Sequence, residues 1–184
     1  YWIWVLCRPL KRWTNYMSEN YSNLGELFFR NFRKMKIVIG YPPLESQKGT
    51  ALLGQNRQFQ WAKTNWSAYP VVPAYAATML DQAGHEVLWL DGINAEWAYE
   101  EWKKKLLDFQ PDVLVIETKT PVIKAHWAII NKLKVKSAKC KVILVGDHVT
   151  ALPKETLRKS KVDYVVTGGN FDFGLVKLID RIEQ

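Results

Sequence analysis

Short apolar segments alternate with longer amphipathic segments from Lys36 onward. Five segments are predicted to be strands because they are short, almost wholly apolar and bounded by turn-forming residues: 36–41, 85–91, 112–118, 140–146 and 162–168. Five longer segments have the spacing of helices: 71–84, 94–109, 122–135, 151–160 and 173–184. Strands that are apolar throughout are typical of a sheet covered on both faces. We therefore predict an α/β fold, a doubly wound five-stranded parallel sheet in the flavodoxin-like order 2-1-3-4-5.

Residues 1–34 depart from this pattern. They mix Trp, Tyr and Phe with Arg, Lys and Asn, and they show only a weak helical period over 24–34. We expect a basic, aromatic N-terminal arm over 1–34 and an α/β domain over 35–184. The arm is either loosely docked, or it covers an interface or a membrane surface.

Charge and cysteine content narrow the class of protein. The chain of 184 residues has 26 basic and 18 acidic residues, a net charge of +8, of which residues 1–36 hold +5 and the rest +3. Since most of the excess lies in the terminal segment, we expect no nucleic-acid partner. Two distant cysteines, Cys7 and Cys140, indicate neither a disulfide framework nor a zinc site and fit a cytoplasmic setting. No apolar run reaches the length of a membrane span.

Polar and small residues follow four of the predicted strands. The carboxyl ends of parallel strands share one edge, where open α/β sheets bind ligands, so these residues are candidates for a binding site. Thr120 could instead cap the following helix, and the glycine-rich turn before the last helix has amides that suit an anion. The candidates are Tyr41, Pro42, Thr118, Lys119, Thr120, Gly146, Asp147, His148, Val149, Thr150, Gly168, Gly169 and Asn170.

The connection between the first strand and the first helix is unusually long, and such loops are usually functional or mobile. Its second half contains four aromatic residues and two cations: Phe59, Trp61, Trp66, Tyr69, Arg57 and Lys63. These could form a nucleic-acid platform, but covering a large flat ligand or docking on another domain is favoured.

Several familiar sites are excluded. The chain has no GxGxxG after a strand, no GxxxxGK[ST] and no GxSxG. The three histidines are not at metal-ligand spacing, and His85 and His126 are predicted to be structural. Only His148 follows a strand at the predicted functional edge.

Five segments, taken in order, carry a resemblance to a known family: MKIVIGYPP, AYAATMLDQAGHEVLWLDG, PDVLVIETKTP, VILVGDHVTALPKETL and VDYVVTGGNFDFGLVKLI. Together they resemble the N-terminal cobalamin-binding domain of cobalamin-dependent radical S-adenosylmethionine enzymes, over nearly everything from Met35 to the end. The resemblance implies that cobalamin lies over the carboxyl ends of the strands and that the GDHVT turn forms part of its cradle.

The chain also departs from that family's pattern. Asp147 stands where the family usually has proline, and Gly169-Asn170 where it usually has glycine-glutamate. The Asp-x-His-x-x-Gly motif of other cobalamin domains is absent, so the resemblance implies no histidine ligand to cobalt. Cys-x3-Cys-x2-Cys is also absent. An iron-sulfur cluster and S-adenosylmethionine would therefore belong to a partner radical domain, downstream in a longer parent chain or on another chain.

Three functions fit these features. The favoured one is a cobalamin-binding module of a radical methyltransferase-like enzyme, in which the protein positions a cofactor that carries the methyl group. The second is a degenerate domain of the same fold that binds no cofactor and acts in protein interactions. The third is a nucleotide-sugar or anion-binding transferase that uses Lys119, Asp147 and His148 as cation, acid and base.

Overall fold

The computed structural model describes residues 34–44, 46–53, 60–63 and 69–182. In chain order, its strands are β1 (Lys36–Tyr41), β2 (Thr50–Leu52), β3 (Gln60–Ala62), β4 (Glu86–Asp91), β5 (Val113–Glu117), β6 (Lys141–Val145) and β7 (Tyr164–Val165). Its helices are α1 (Val71–Gln82), α2 (Tyr99–Phe109), α3 (Ile123–Lys136), α4 (Asp147–Ala151), α5 (Pro153–Lys159) and α6 (Phe171–Ile182). Apart from Lys34, the predicted arm lies outside the described residues.

Five strands form one parallel sheet in the order β4-β1-β5-β6-β7. Counted among these five strands, that order is 2-1-3-4-5, and the predicted fold is confirmed. The order reverses between β1 and β5, since the chain places β4 on one side of β1 and all later strands on the other. This reversal is the switch point at which doubly wound sheets leave a crevice for a ligand.

Alternate residues of each central strand point into two separate cores, as the period of two requires. Ile37, Ile39 and Tyr41 of β1 lie in the core that α1 and α6 cover. Val38 lies in the opposite core, which α2, α3 and α4 cover. Both faces of the sheet are therefore buried, and this explains why the strands are apolar at nearly every position.

Trp102 of α2 fixes how the helix lies on the sheet. Its side chain is fully buried and its indole Nε1 donates to the carbonyl of Leu90 at 3.0 Å. A Cβ atom at Gly40 would approach Trp102 to 3.2 Å, and one at Gly92 would approach it to 2.7 Å. The large ring therefore needs glycine at both positions beneath it.

The predicted element boundaries differ most from the structure in three places. Helix α2 begins at Tyr99 rather than near residue 94, because Asp91 accepts from the amide of Asn94 and Glu96 adopts a left-handed φ of 54°. Residues 147–150, predicted to be a turn, belong with Ala151 to the short helix α4, and the helix predicted to begin at residue 151 begins at Pro153. The last strand of the sheet is only the two residues of β7.

The long connection after β1 contains the antiparallel pair β2–β3. Ala51, Leu52 and Leu53 are buried there, and Trp61 packs against the core under α1 and α6. Three residues of the predicted aromatic platform, Arg57, Phe59 and Trp66, lie outside the described residues.

Gly146 provides a test of the junction between β5 and β6. Its φ is +106°, and a Cβ atom there would clash with the carbonyl oxygen of Thr118. We expect Gly146→Ala to lower the free energy of unfolding by at least about 2 kcal/mol in urea titration, from backbone strain and the clash together. Gly169→Ala is the matched control, because a Cβ atom there meets nothing within 4 Å, and a change under about 0.5 kcal/mol is expected. Equal effects of the two substitutions would contradict this account.

Candidate functional site

At the switch point between β1 and β5, a tyrosine and a glutamate side chain form a hydrogen bond. The Tyr41 hydroxyl, at the end of β1, donates to Oε2 of Glu117, at the end of β5, over 2.6 Å. Tyr41 is buried and also packs against Trp89, with ring centroids 5.7 Å apart. The bond joins the two central strands at the place where the fold opens its crevice.

Burial governs the ionisation of both groups. It raises the pKa of Glu117 to about 7, while the Tyr41 hydrogen bond and the Lys119 ammonium pull the pKa down only in part. Burial, with the Glu117 carboxylate nearby, raises the pKa of Tyr41 well above its ordinary value. Asp147 adds to the rise at Glu117, and Asp91 to that at Tyr41. At neutral pH the carboxyl at the switch point is therefore present both with and without its proton.

An ion pair joins the ends of β5 and β6. Lys119 is only 4% exposed, and its Nζ lies 2.8 Å from Oδ2 of Asp147, the first residue of α4. The Asp147 side chain is largely exposed. The aspartate therefore meets the charge of a buried lysine on one side and faces solvent on the other. Lys119 and Asp147, both predicted site residues, thus bind each other.

Thr118 has an internal role. It is fully buried, and its Oγ1 shares a 2.8 Å hydrogen bond with Nδ1 of His126 on α3. Burial lowers the pKa of His126 to about 4, so the ring is neutral at physiological pH. The prediction that His126 is structural agrees with this arrangement, whereas the hydroxyl of Thr118 is directed into the protein.

His148 lies inside the α3–α5 layer. It is 3% exposed, and its Nδ1 lies 3.2 Å from Oγ1 of Thr120. Its ring meets Trp127 edge-on with centroids 5.8 Å apart, and its Nε2 is buried without a hydrogen bond, 3.9 Å from Glu155. Burial lowers the pKa of His148, and the Glu155 carboxylate opposes that shift.

Thr120 does not cap α3, so that alternative is wrong. The N-cap residue of α3 is Val122, and it makes no side-chain capping bond. Thr120 is exposed, and its hydroxyl is instead the partner of His148.

Thr150 connects the ends of β6 and β7. Its hydroxyl donates to the carbonyl of Gly146 at 2.9 Å and accepts from the amide of Gly168 at 3.0 Å. Gly146 itself is held tightly against the backbone of Thr118, so the space beside this glycine is filled by the protein's own chain. One threonine thus fixes the spacing of the β6 and β7 turns.

The turn after β7 is open. A Cβ atom at Gly168 or Gly169 would meet nothing within 4 Å, and Asn170 is exposed. A carboxylate lies at the start of the following helix: Asp172 is the second residue of α6. Asp172 is itself buried, and burial raises its pKa. A negative charge on Asp172 would compete with an anion for this helix terminus.

The thirteen candidate residues divide into a buried floor and an open rim. The floor contains those that are buried: Tyr41, Pro42, Thr118, Lys119, Gly146, His148 and Val149. The rim contains those that are exposed or half-buried: Thr120, Asp147, Thr150, Gly168, Gly169 and Asn170. The structure brings both sets to one edge of the sheet, where the rim residues face outward over β5, β6 and β7.

Sequence analysis missed Glu117 and a cavity beside the switch point. Glu117 lies within the predicted strand 112–118 and is not among the candidate residues, and only its pairing with Tyr41 across 76 positions reveals it. The cavity, of about 650 Å³, lies between the segments that follow β1 and β4, with Pro43, Thr50, Gly92, Trp97 and Tyr99 among its lining residues. No local pattern brings these two segments together, because their contact depends on the pairing of β1 with β4.

Two kinds of feature are absent from the described residues. They contain no helix long and apolar enough to cross a membrane. They also contain no group of three or more His, Cys, Asp or Glu side chains arranged to hold a metal ion.

Comparison with known proteins defines the family. The B12 binding domain family matches residues 64–170, more than half of the chain. The chain belongs to this family.

Two individual proteins resemble the chain. One is a protein of Pyrococcus horikoshii that is named as an uncharacterized methyltransferase, 23% identical over 150 residues, which are 82% of this chain. The chain spans about 30% of the length of that relative. The other is the crystal structure of a cobalamin-binding protein from Desulfitobacterium hafniense, with a TM-score of 0.56 and 17% identity over 93% of this chain and 76% of the other. The structural likeness supports the fold.

The raised pKa of Glu117 gives a testable dependence of stability on pH. Because the folded protein holds this proton more tightly than the unfolded chain, its contribution to stability falls as the pH rises from about 4.5 to about 7. We expect Glu117→Gln to remove that fall. Across this window the variant should gain on the order of 2–3 kcal/mol relative to the wild type in urea titrations. His126 has the opposite trend, but it is present in both proteins and cancels in the difference. Parallel stability curves for the two proteins would show that Glu117 ionises normally.

Proposed function

We propose that this chain is a cobalamin-binding module in which the corrin ring lies on the rim over β5, β6 and β7. One observation carries the proposal: three strand-end turns are tied together, and the surface above them is open. The Lys119–Asp147 ion pair ties the β5 turn to the β6 turn, and the Thr150 hydroxyl, between Gly146 and Gly168, ties the β6 turn to the β7 turn. Membership of the B12 binding domain family gives the class of ligand.

The rim suits a large flat ligand that carries many amide groups. Gly168 and Gly169 leave open space where any other residue would place a Cβ atom, so the plane of a ring can approach the backbone there. Asp147, Thr150 and Asn170 are exposed and supply oxygen acceptors and donors for primary amides at the edge of a corrin. The buried polar pairs beneath give the rim a fixed floor, and a fixed floor lowers the cost of ordering a site on binding.

The protein's part in the chemistry would be to hold and orient the cofactor. Cobalamin, when bound, supplies a cobalt centre that can carry a methyl group. The threonines and the glycine-rich turn would position the corrin. The Tyr41–Glu117 pair would present an exchangeable proton at the switch point beside it.

We also propose that no histidine of this chain binds cobalt. His148 is the histidine nearest the rim in sequence, and its burial against Trp127, with Nδ1 engaged by Thr120, supports this. Reaching a ligand on the rim would require the ring to leave its packing between α3 and α5.

The module is proposed to be part of a larger radical S-adenosylmethionine methyltransferase. The relative named as a methyltransferase is more than three times as long as the aligned region, which supports a further domain. The iron-sulfur cluster and S-adenosylmethionine would be held by that domain, since this chain has only two cysteines.

The test is retention of hydroxocobalamin by the purified chain after desalting, read from its visible spectrum. We expect Gly169→Leu to reduce retention at least about tenfold, because the leucine would occupy the space proposed for the ring. The same substitution should leave urea stability within about 0.5 kcal/mol, since the site is open.

Ala138→Leu is the matched control for this substitution. Residue 138 is an exposed small residue just before β6, at the amino edge of the sheet, so cobalamin retention should not change. If both variants retain the cofactor like the wild type, the rim is not the binding site. A wild-type chain that stays colourless and forms stable protein complexes would favour the degenerate interaction domain.

A further inference from the structure

Apart from the N-terminal residues, the positive charge of this protein is concentrated in one segment. Residues 118–162 contain ten lysines, one arginine and two acidic residues, a net charge of +9. The whole chain has +8, so the remaining residues together carry a net charge of −1. Residues 37–117 have six basic and ten acidic residues, so their net negative charge partly hides the positive charge of residues 118–162 in the net charge of the whole chain.

The fold places this segment on a single surface. Helices α3 and α5 lie side by side on one face of the sheet: the Lys159 ammonium is 5.7 Å from the Trp127 ring, and the Lys161 amide donates to the side chain of Asn131 at 2.8 Å. On α3, residues 124, 128, 132 and 135 are exposed at helical spacing and form one outward stripe. We call the outward surface of α3 and α5, with the turns that follow each, the basic face.

Some of these charges are already neutralised. Lys119 pairs with Asp147, Lys134 and Lys141 with Asp163, and Lys159 with Glu155. Among the described residues, six exposed basic side chains of the basic face form no salt bridge: Lys124, Lys132, Lys139, Lys154, Arg158 and Lys161.

The basic face also exposes large aliphatic side chains. Val135 on α3 is 73% exposed. Leu152, just before α5, is 48% exposed, and Leu157 on α5 is 46% exposed. These three are half of the large hydrophobic residues exposed in the described part of the chain. Isolated exposed aliphatic residues are ordinary, but here they are interspersed among unpaired lysines.

We propose that the basic face is a docking surface for an anionic lipid membrane. Lysines attract a negatively charged bilayer surface, and neighbouring aliphatic side chains insert at the boundary between headgroups and acyl chains. The proposal is independent of cobalamin binding, because the basic face lies on helices that cover the sheet and the rim lies at its carboxyl edge.

Two other classes of partner fit these residues less well. Protein interfaces are depleted in lysine and enriched in arginine, and the segment has ten lysines and one arginine. Single-stranded nucleic acid is held by stacking on aromatic side chains, and most hydrogen bonds to double-stranded nucleic acid go to phosphate and sugar, where aliphatic side chains contribute none. The one Phe, Tyr or Trp in the segment is Trp127, which is buried.

The test is sedimentation of the chain with vesicles of phosphatidylcholine, with and without phosphatidylglycerol. We expect binding only to the anionic vesicles, weakened by salt. The triple variant Lys124→Gln, Lys132→Gln, Lys154→Gln should bind on the order of 100-fold more weakly, because each basic residue near an anionic surface contributes about fivefold.

The matched control is Lys63→Gln, Lys177→Gln, Arg181→Gln, which removes the same charge from exposed positions outside the basic face. It should bind within about twofold of the wild type if the basic face is the docking surface. The double variant Leu152→Ser, Leu157→Ser should bind anionic vesicles more weakly than the wild type, and like the wild type it should not bind neutral vesicles.

Three outcomes would overturn the proposal: equal loss of binding in the two triple variants, absence of binding to any vesicle, or binding of a structured RNA by a chain that does not bind anionic vesicles. In the last case the surface would be a nucleic-acid site.

Discussion

Burial of the central strand β1 on both faces is the constraint on which the rest of the structure depends. When a strand has a parallel neighbour on each side, the chain can reach those neighbours only through crossover connections. Each crossover contains a helix, and that helix covers one face of the sheet. Ile37 and Ile39 face one core, and Val38 faces the other. The carboxyl ends of all five strands consequently meet at one edge, and the reversal of order beside β1 leaves Tyr41 and Glu117 at the crevice.

That edge is held by polar pairs that the protein forms with itself. Lys119 meets Asp147, Thr118 meets His126, and Thr150 ties the turns after β6 and β7. Each pair satisfies a group that would be costly to bury alone. The open surface above them is therefore supported by a floor that has little need to rearrange when a ligand arrives.

Different segments of the molecule carry net charges of opposite sign, and the net charge of the whole chain does not show this. The acidic excess of residues 37–117 cancels much of the basic excess of residues 118–162 in the sum, although the two segments are distinct in the fold. Helices α3 and α5 gather unpaired lysines and aliphatic side chains on one face, away from the rim at the carboxyl edge. Two functions, holding a ligand and attaching to a surface, can therefore occupy different parts of one small domain.

The sequence by itself determined the fold class, the strand order and the edge at which a site would lie, because burial on both faces leaves continuous apolar strands and local turn residues mark their ends. It did not determine which candidate residues face outward. Thr118 and His148 follow strands as Asn170 does, yet they are buried and their side chains bond to His126 and Thr120 from other elements, whereas Asn170 is exposed. It also did not reveal Glu117, whose character comes from Tyr41 and from burial. Hydrogen-bond partners distant in sequence, and the desolvation that packing imposes, exist only once the strands are assembled, so the tertiary structure alone decided them.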